Sequence, residues 1–251
     1  MIPSCDPLSR VALLTGTDGL DRLRSCRVIL FGTGGVGAWT AEALIRSGVG
    51  HLTIVDADCV APSNINRQLP ALHSTIGQEK TDVLRRRLLD IAPEADIVAV
   101  QGFYNALTAD GFNLSDYDYV IDAIDSLADK ALLILNATAA GTTLFSSMGA
   151  ALKMDPLKIS VAEFWKVTGC PLAAALRRRF KKSGQMPRRK FKCVYSPELR
   201  ANHPEAVDLS GETALSYGKV AVNGAMMHIT ATFGLILASL VIRPRLGEKI
   251  G

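Results

Sequence analysis

The sequence predicts an α/β fold built on a Rossmann-like, doubly wound and mostly parallel sheet. Over residues 1–149, short apolar runs rich in β-branched residues alternate with segments of helical periodicity. A glycine-rich turn follows the first such run, and acidic residues follow two later ones. We expect one domain over residues 1–251, in which a first half, 1–149, is followed by a second half, 150–251, that completes the sheet.

The elements of the first half are predicted from periodicity and from the residues that end each run. Strands are expected where β-branched runs end in glycine or an acidic residue, and helices where apolar residues recur every three or four positions. The strands are predicted at residues 27–31, 52–55, 97–100, 119–121 and 143–146. The helices are predicted at residues 36–47, 80–91 and 129–140.

The second half shows no regular alternation. A strand is predicted at 159–162, a helix at 171–180 and a strand at 191–195, with a flexible break at 183–187. The run between Lys219 and Arg243 has no charged residue and is long enough to span a bilayer. Because several polar residues interrupt it, we expect a strand at 216–222 and a buried helix at 224–241, and no membrane partner.

Charge and cysteine content narrow the class of protein. The net charge is +4, yet nine basic residues lie within 177–192, and the rest of the chain is acidic overall. We therefore expect a flexible basic loop at 177–192. The five cysteines include no Cys-x-x-Cys pair, which favours free thiols in a reducing compartment, with the cytoplasm as the expected location. Cys193 is predicted to be a small strand residue.

The glycine turn predicts a nucleotide site. Residues 32–37 fit the pattern G-x-G-x-x-G between a predicted strand and a predicted helix, where the backbone can approach a phosphate at the helix N-terminus. Asp56 ends the next strand and can accept hydrogen bonds from ribose hydroxyls. The pattern alone suits NAD or FAD as well as ATP. The glycines concerned are Gly32, Gly34, Gly35 and Gly37.

Further polar residues at the predicted strand ends favour ATP. The run 56–68 is rich in groups that bind phosphate or metal, Lys80 follows it, and acidic residues recur at 122–125. Two cations, Arg67 and Lys80, together with a second carboxylate, suit a triphosphate with Mg²⁺. An NAD-dependent dehydrogenase would have no use for the run 64–68.

These motifs together resemble those of the ubiquitin-activating-like adenylyltransferase family (the ThiF, MoeB and HesA proteins) over about residues 10–149. The resemblance implies that the glycine turn holds the nucleotide phosphates of ATP and that Asp125 holds Mg²⁺. It further implies that Arg10 reaches the partner's ATP across a homodimer interface. The remaining nucleotide-binding residues that it implies are Asp56, Asp58, Asn64, Arg67, Gln68 and Lys80.

Within this family the chain resembles the tRNA threonylcarbamoyladenosine dehydratase branch. It lacks the paired zinc cysteines of the sulfur-transfer enzymes, and the runs 10–23, 120–126, 154–159 and 171–173 match the branch. The branch uses ATP to activate a carboxylate on a modified tRNA adenosine, which then cyclises with loss of water. The implied partners are tRNA, a second copy of the chain and, as a further candidate, a sulfur-transfer protein. Phe180 and Phe191, within the basic loop, would stack on tRNA bases.

Two other functions are compatible with the same fold. One is adenylation of the C-terminal glycine of a ubiquitin-like sulfur-carrier protein. The other is a non-catalytic nucleotide-binding scaffold, against which the presence of Arg67, Lys80 and Asp125 argues.

Overall fold

The computed structural model describes residues 3, 5–203 and 223–250, in which seven strands form one sheet. In chain order the strands are β1 (Arg27–Phe31), β2 (His51–Asp56), β3 (Asp96–Gln101), β4 (Tyr119–Asp122), β5 (Thr143–Ser147), β6 (Ser160–Glu163) and β7 (Lys192–Tyr195). Their order in the sheet is β3-β2-β1-β4-β5-β7-β6. Neighbours are parallel except β6 and β7. The predicted fold class is confirmed, and β6 and β7 complete the sheet as expected.

Helices cover both faces of the sheet. They are α1 (Ser9–Arg24), α2 (Gly37–Arg46), α3 (Lys80–Ile91), α4 (Leu127–Ala140), α5 (Pro171–Ser183) and α6 (Met227–Arg245). Apolar residues of α2, α3 and α6 bury one face, and those of α4 and α5 bury the other. Coverage of both faces explains why the parallel strands are almost continuously apolar rather than alternating.

Successive strands are added to one side of β1 first and to its other side afterwards. The chain passes from β1 to β2 and β3 on one side, then returns to place β4 and β5 on the other. Phe31, the last residue of β1, is in register with Val55 on one side and Asp122 on the other. Ligands of doubly wound sheets bind in the crevice that such a reversal opens at the carboxyl ends of the strands. The loops after β1, β2 and β4 therefore surround one crevice.

The basic segment 177–192 is not one loop, and this part of the sequence prediction is wrong. Helix α5 continues to Ser183 because Ala173, Leu176 and Phe180 recur at helical spacing and are buried, which leaves the basic residues on the outer face. Gly184, with φ +71°, ends the helix in the left-handed conformation that glycine adopts readily. Only residues 184–191 connect α5 to β7.

Helix α6 accounts for most of the uncharged run near the C-terminus. By length and composition it could cross a membrane, yet half of its most apolar window is buried within the fold. It packs closely on α2, since a Cβ at Gly234 would lie 2.5 Å from Val36 O, and Thr40 Oγ1 donates to Gly234 O at 3.1 Å. These contacts are those of a core helix. The strand predicted at 216–222 lies outside the described residues.

Candidate active site

The glycine turn joins β1 to α2 with almost no room for side chains. A Cβ at Gly37 would lie 1.8 Å from Gly32 O, and a Cβ at Gly32, whose φ is +90°, would lie 2.7 Å from Ala123 O. Gly34 differs, because among the described residues the nearest atom to its Cβ position is Gln68 Nε2 at 3.7 Å. Gly32 and Gly37 thus permit the tight turn, whereas the backbone at Gly34 stays open to a ligand. A Cβ at Gly35 would lie 3.3 Å from Thr230, on α6.

Asp56, at the end of β2, holds the glycine turn in place. Its Oδ2 accepts hydrogen bonds from Thr33 N at 2.6 Å and Thr33 Oγ1 at 3.0 Å. Its Oδ1 accepts from Asp58 N at 2.9 Å. A carboxylate offers about four lone-pair positions, so these bonds leave capacity for ribose hydroxyls. The sequence prediction of a ribose-binding role for Asp56 stays a prediction.

Lys80 begins α3 and turns back toward the loop after β2. Its ammonium lies 2.7 Å from Asp58 Oδ2, with the side chain of Lys80 6% exposed and that of Asp58 58% exposed. Lys80 N donates to Asp58 O at 3.1 Å, and Val60 N donates to Gln78 O at 2.8 Å. The backbone pairing fixes the lysine beside the crevice, and an ammonium has two further donors besides the one used by Asp58.

The 3₁₀ turn Pro62–Asn64 supports Arg67. Asn64 is buried, and its Oδ1 accepts from Ala61 N at 3.1 Å, so its side chain caps this turn. Arg67 Nη1 donates to Ser63 O at 2.9 Å and to Asn66 Oδ1 at 2.8 Å. Partial burial lowers the pKa of Arg67, while the Asp125 carboxylate acts in the opposite direction. The Asp125 carboxylate, on the loop after β4, therefore lies near enough to Arg67 to act on its pKa.

Gln68 provides a test of whether a polar ligand fits the crevice. The residue is buried, and its Oε1 is a buried acceptor without a hydrogen-bond partner among the described residues. Its amide faces Gly34, as the 3.7 Å approach shows. A buried polar atom left without a partner is costly, and ligand donors are one way to satisfy it. The glycine turn, an unused acceptor and two cations fit a nucleotide with its phosphates.

Asp125 follows β4 on an exposed loop, where its carboxylate could hold a metal ion. Among the described residues, no three His, Cys, Asp or Glu side chains lie close enough to bind a metal alone. Mg²⁺ usually binds one or two carboxylates together with substrate phosphates, so a single carboxylate beside a triphosphate site fits that ion.

Arg10 does not lie near the crevice of its own chain. Leu8, which precedes α1, packs 3.4 Å from the Cβ position of Gly48, just beyond the C-terminal end of α2. The glycine turn lies at the other end of α2, about 15 Å away for ten helical residues. The exposed Arg10 therefore lies toward the far end of α2, away from the glycine turn. Arg67 and Asp125 interact electrostatically, and Lys80 pairs with Asp58.

Lys130 is a charged residue that the sequence analysis missed. It lies on α4, is fully buried and forms an ion pair with Asp122. The signal was present in the sequence, because Lys130 shares helical spacing with Leu133, Ile134 and Ala137, all of which are buried. A lysine on the apolar stripe of a helix indicates a buried partner.

Cys193 lies inside the sheet, as predicted. Its side chain is fully buried, and burial raises the pKa of the thiol well above its ordinary value. A thiol with a raised pKa forms little thiolate and is a poor nucleophile. Cys170 is buried as well.

The two phenylalanines of the basic segment are core residues, so the prediction that they stack on nucleic-acid bases is wrong. Phe180 is 1% exposed and Phe191 is 5% exposed, and their rings lie 5.9 Å and 4.9 Å from that of Phe164. The surrounding cations point outward. We use the term basic surface for the exposed residues Arg178, Arg179, Lys181, Lys182, Arg188, Arg189 and Lys190.

Comparison with known proteins identifies the family. The ThiF family model matches residues 8–248. The chain is 38% identical over 239 residues to the tRNA threonylcarbamoyladenosine dehydratase of Haemophilus influenzae, covering 92% of this chain and 90% of that protein. It is 43% identical over 176 residues to the Bacillus subtilis protein of the same name, covering 70% and 69%.

A solved structure has the same overall fold. It is the Escherichia coli tRNA N6-threonylcarbamoyladenosine dehydratase in complex with ATP, with a TM-score of 0.83 and 31% identity over 96% of this chain and 94% of that one. The match spans both the crevice and the strands β6 and β7. The chain belongs to the ThiF family.

Proposed function

We propose that the protein uses ATP to cyclise threonylcarbamoyladenosine in tRNA through an acyl-adenylate. The likeness to dehydratases over more than nine tenths of the chain supports this function. The observation that supports it is the open glycine turn, with the Lys80–Asp58 pair, Arg67 and Asp125 on the loops that follow β2 and β4.

The residues of the crevice suit transfer of an adenylyl group. The carboxylate of the modification attacks the α-phosphorus of ATP and pyrophosphate departs, so negative charge accumulates on the leaving group. Arg67 and Lys80 offset this charge, and fixed cations in a site with little water do so at little reorganisation cost. Asp125 would hold Mg²⁺, which supplies Lewis-acid polarisation of the phosphates. Asp56 would bind the ribose, and Gln68 and Asn64 would line the nucleotide.

The second step needs no nucleophile from the protein. A group within the same modification attacks the adenylate, closes a ring and releases AMP, so that the tRNA loses one water overall. Such an internal nucleophile has a high effective concentration. This agrees with the burial of Cys193 and with the raised pKa of its thiol.

We also propose a homodimer that completes each site with Arg10 of the other copy. Leu13 and Leu14, close to Arg10 on α1, are 85% and 88% exposed. Neighbouring exposed leucines next to a cation are typical of a surface that another protein covers. This arrangement explains why Arg10 lies away from the crevice of its own chain.

The substrate surface would lie in the half 150–251, with 1–149 as the nucleotide-binding half. The sequence has no acidic residue from 164 to 197, the range that contains the basic surface. Among the described residues, none of the seven cations of this surface pairs with an acidic side chain. Such cations neutralise RNA phosphates. We propose the cytoplasm as the location, in line with the free cysteines Cys26, Cys170 and Cys193, and a sulfur-transfer protein as a further candidate partner.

ATP–pyrophosphate exchange with purified protein tests the function. Label should enter ATP with tRNA bearing threonylcarbamoyladenosine and not with unmodified tRNA. Arg67→Ala should reduce exchange by about 100- to 1,000-fold, because one lost charge-stabilising group costs about that much. Arg24→Ala, which removes an exposed arginine that pairs with Asp21 at 3.4 Å, is the matched control and should leave exchange unchanged. Exchange that requires a Gly-Gly-ending carrier protein instead would refute the proposed substrate.

A further inference from the structure

A buried ion pair lies beneath the loop that holds Asp125. The side chains of Lys130 and Asp122 are both 0% exposed, with Lys130 Nζ 2.8 Å from Asp122 Oδ2. Ser146 Oγ donates to the same oxygen at 2.6 Å. Burial of two charges loses about as much hydration free energy as their attraction returns, so such a pair is weak evidence of a stabilising role. Its position needs another explanation.

The two side chains of the pair hydrogen-bond to the backbone amide and the backbone carbonyl of Ile124. Asp122 Oδ1 accepts from Ile124 N at 3.1 Å, and Lys130 Nζ donates to Ile124 O at 2.9 Å. The carbonyl of Ile124 belongs to the peptide bond that joins Ile124 to Asp125. Because that peptide group is planar, a fixed carbonyl also fixes the direction in which the backbone enters Asp125.

The glycine turn packs against the loop after β4 from the side opposite Lys130. Ala123 N donates to Phe31 O at 2.9 Å, and the Ala123 carbonyl is the atom that a Cβ at Gly32 would approach to 2.7 Å. Residues 123–124 are therefore held between the glycine turn and the ammonium of Lys130. Asp125 itself is exposed at the end of this anchored segment.

We infer that Lys130 is a positioning residue for adenylation, which orients Asp125 through the Ile124 carbonyl while Asp122 keeps its ammonium in place. The inference rests on the proposed function, in which Asp125 holds Mg²⁺ beside the phosphates. Lys130 is fully buried, so it would act through Asp125 rather than on ATP itself. Mg²⁺ demands near-ideal octahedral geometry, so the direction of its carboxylate ligand matters. Groups that orient a metal ligand typically contribute about 10- to 100-fold in affinity or activity.

The decisive variant removes both charges together. In Lys130→Met/Asp122→Asn the new amide oxygen can still accept from Ile124 N, and no unpaired charge remains buried, whereas the methionine has no donor for the Ile124 carbonyl. The variant should fold with a melting temperature closer to the wild type than Lys130→Met. Its kcat for exchange should fall about 10- to 100-fold. Its KM for ATP should change far less.

A second readout does not depend on turnover. Calorimetric titration of Mg²⁺ into the variant saturated with a non-hydrolysable ATP analogue should show an affinity about 10- to 100-fold weaker than for the wild type. Binding of the analogue without Mg²⁺ should be unchanged. The control is Glu42→Gln/Arg87→Met, which neutralises a different ion pair, of 2.7 Å, between α2 and α3. There Arg87 is exposed to solvent and Glu42 also pairs with the exposed Arg46. The control should leave kcat and Mg²⁺ affinity at wild-type values.

The inference is overturned if the Lys130/Asp122 double variant has wild-type kcat and Mg²⁺ affinity once folded. It is equally overturned if both double variants lose activity only in proportion to their unfolded fraction, because Lys130 would then have a purely structural role. A wild-type protein without exchange on modified tRNA would refute the proposed function instead, and the Mg²⁺ titration would still report on Lys130.

Discussion

Two lysine–aspartate pairs lie at the carboxyl edge of the sheet, and they differ mainly in burial. Lys130 and Asp122 are both fully buried 2.8 Å apart, whereas Lys80 and Asp58 are 2.7 Å apart with the Asp58 side chain 58% exposed. The nitrogen–oxygen distances are nearly equal in the two pairs. The exposure of the aspartate to solvent is what differs.

Burial decides whether a lysine can change partners. Loss of Asp122 would leave an unpaired ammonium in the core, which is strongly unfavourable. The Lys130–Asp122 pair is therefore expected to stay formed throughout the reaction. Asp58 can be hydrated when its lysine leaves, so the Lys80 ammonium is able to move to an arriving phosphate at small cost. On the proposed function, a lysine–aspartate pair would hold the loop in one place and supply a ligand-binding ammonium in the other.

The largest expected effect is on stability. Lys130→Met leaves Asp122 buried without its cation, which costs about 3–5 kcal/mol in the free energy of unfolding. For a chain of this size, that corresponds to a fall of about 6–20 °C in Tm. Thermal unfolding followed by circular dichroism measures it. A Tm within about 2 °C of the wild type would show that the Lys130–Asp122 pair does not stabilise the fold.

The second effect is on activity without a matching loss of stability. Lys80→Met removes a cation from the crevice and should reduce ATP–pyrophosphate exchange on the order of 100-fold. Its stability should change by less than about 1 kcal/mol, since Asp58 remains hydrated. Exchange kinetics and unfolding measured on the same preparation separate the two quantities. A large fall in Tm would show that Lys80 has a structural role rather than a role in binding ATP.

The smallest expected effect follows from Asp58→Asn. If Lys80 leaves Asp58 when ATP binds, the loss of this carboxylate should change exchange at saturating ATP only slightly, by less than about 1 kcal/mol. Steady-state exchange with varied ATP is the measurement. A loss as large as that of Lys80→Met would mean that the pair acts as a unit and that the lysine does not change partners.

Sequence reasoning located the crevice but not its support. Periodicity and strand-end residues predicted helix α3 with its observed bounds and placed Asp56 and Asp125 at the right edge of the sheet, because local patterns determine these features. Lys130 was missed because its partner lies eight positions earlier on a strand. A contact between a helix and a strand depends on packing, which periodicity does not report.

The errors in the basic segment have the same origin. A run of cations interrupted by phenylalanines suggested an exposed loop, whereas the spacing of Leu176 and Phe180 continues an apolar helix face. The charges are on the surface as expected, but the rings complete the core beside Phe164. Where charge density and helical spacing pointed to different structures, packing of the apolar residues decided the outcome.

A crystal structure with a non-hydrolysable ATP analogue and Mg²⁺ tests the central claim most directly. We expect the phosphates above Gly34, with Arg67 and Lys80 bound to them, Asp125 on the metal and the Lys130–Asp122 bond intact. The Lys80 ammonium should have left Asp58. Phosphates bound elsewhere, with Lys80 still on Asp58 and no contact to Arg67 or Asp125, would contradict the account.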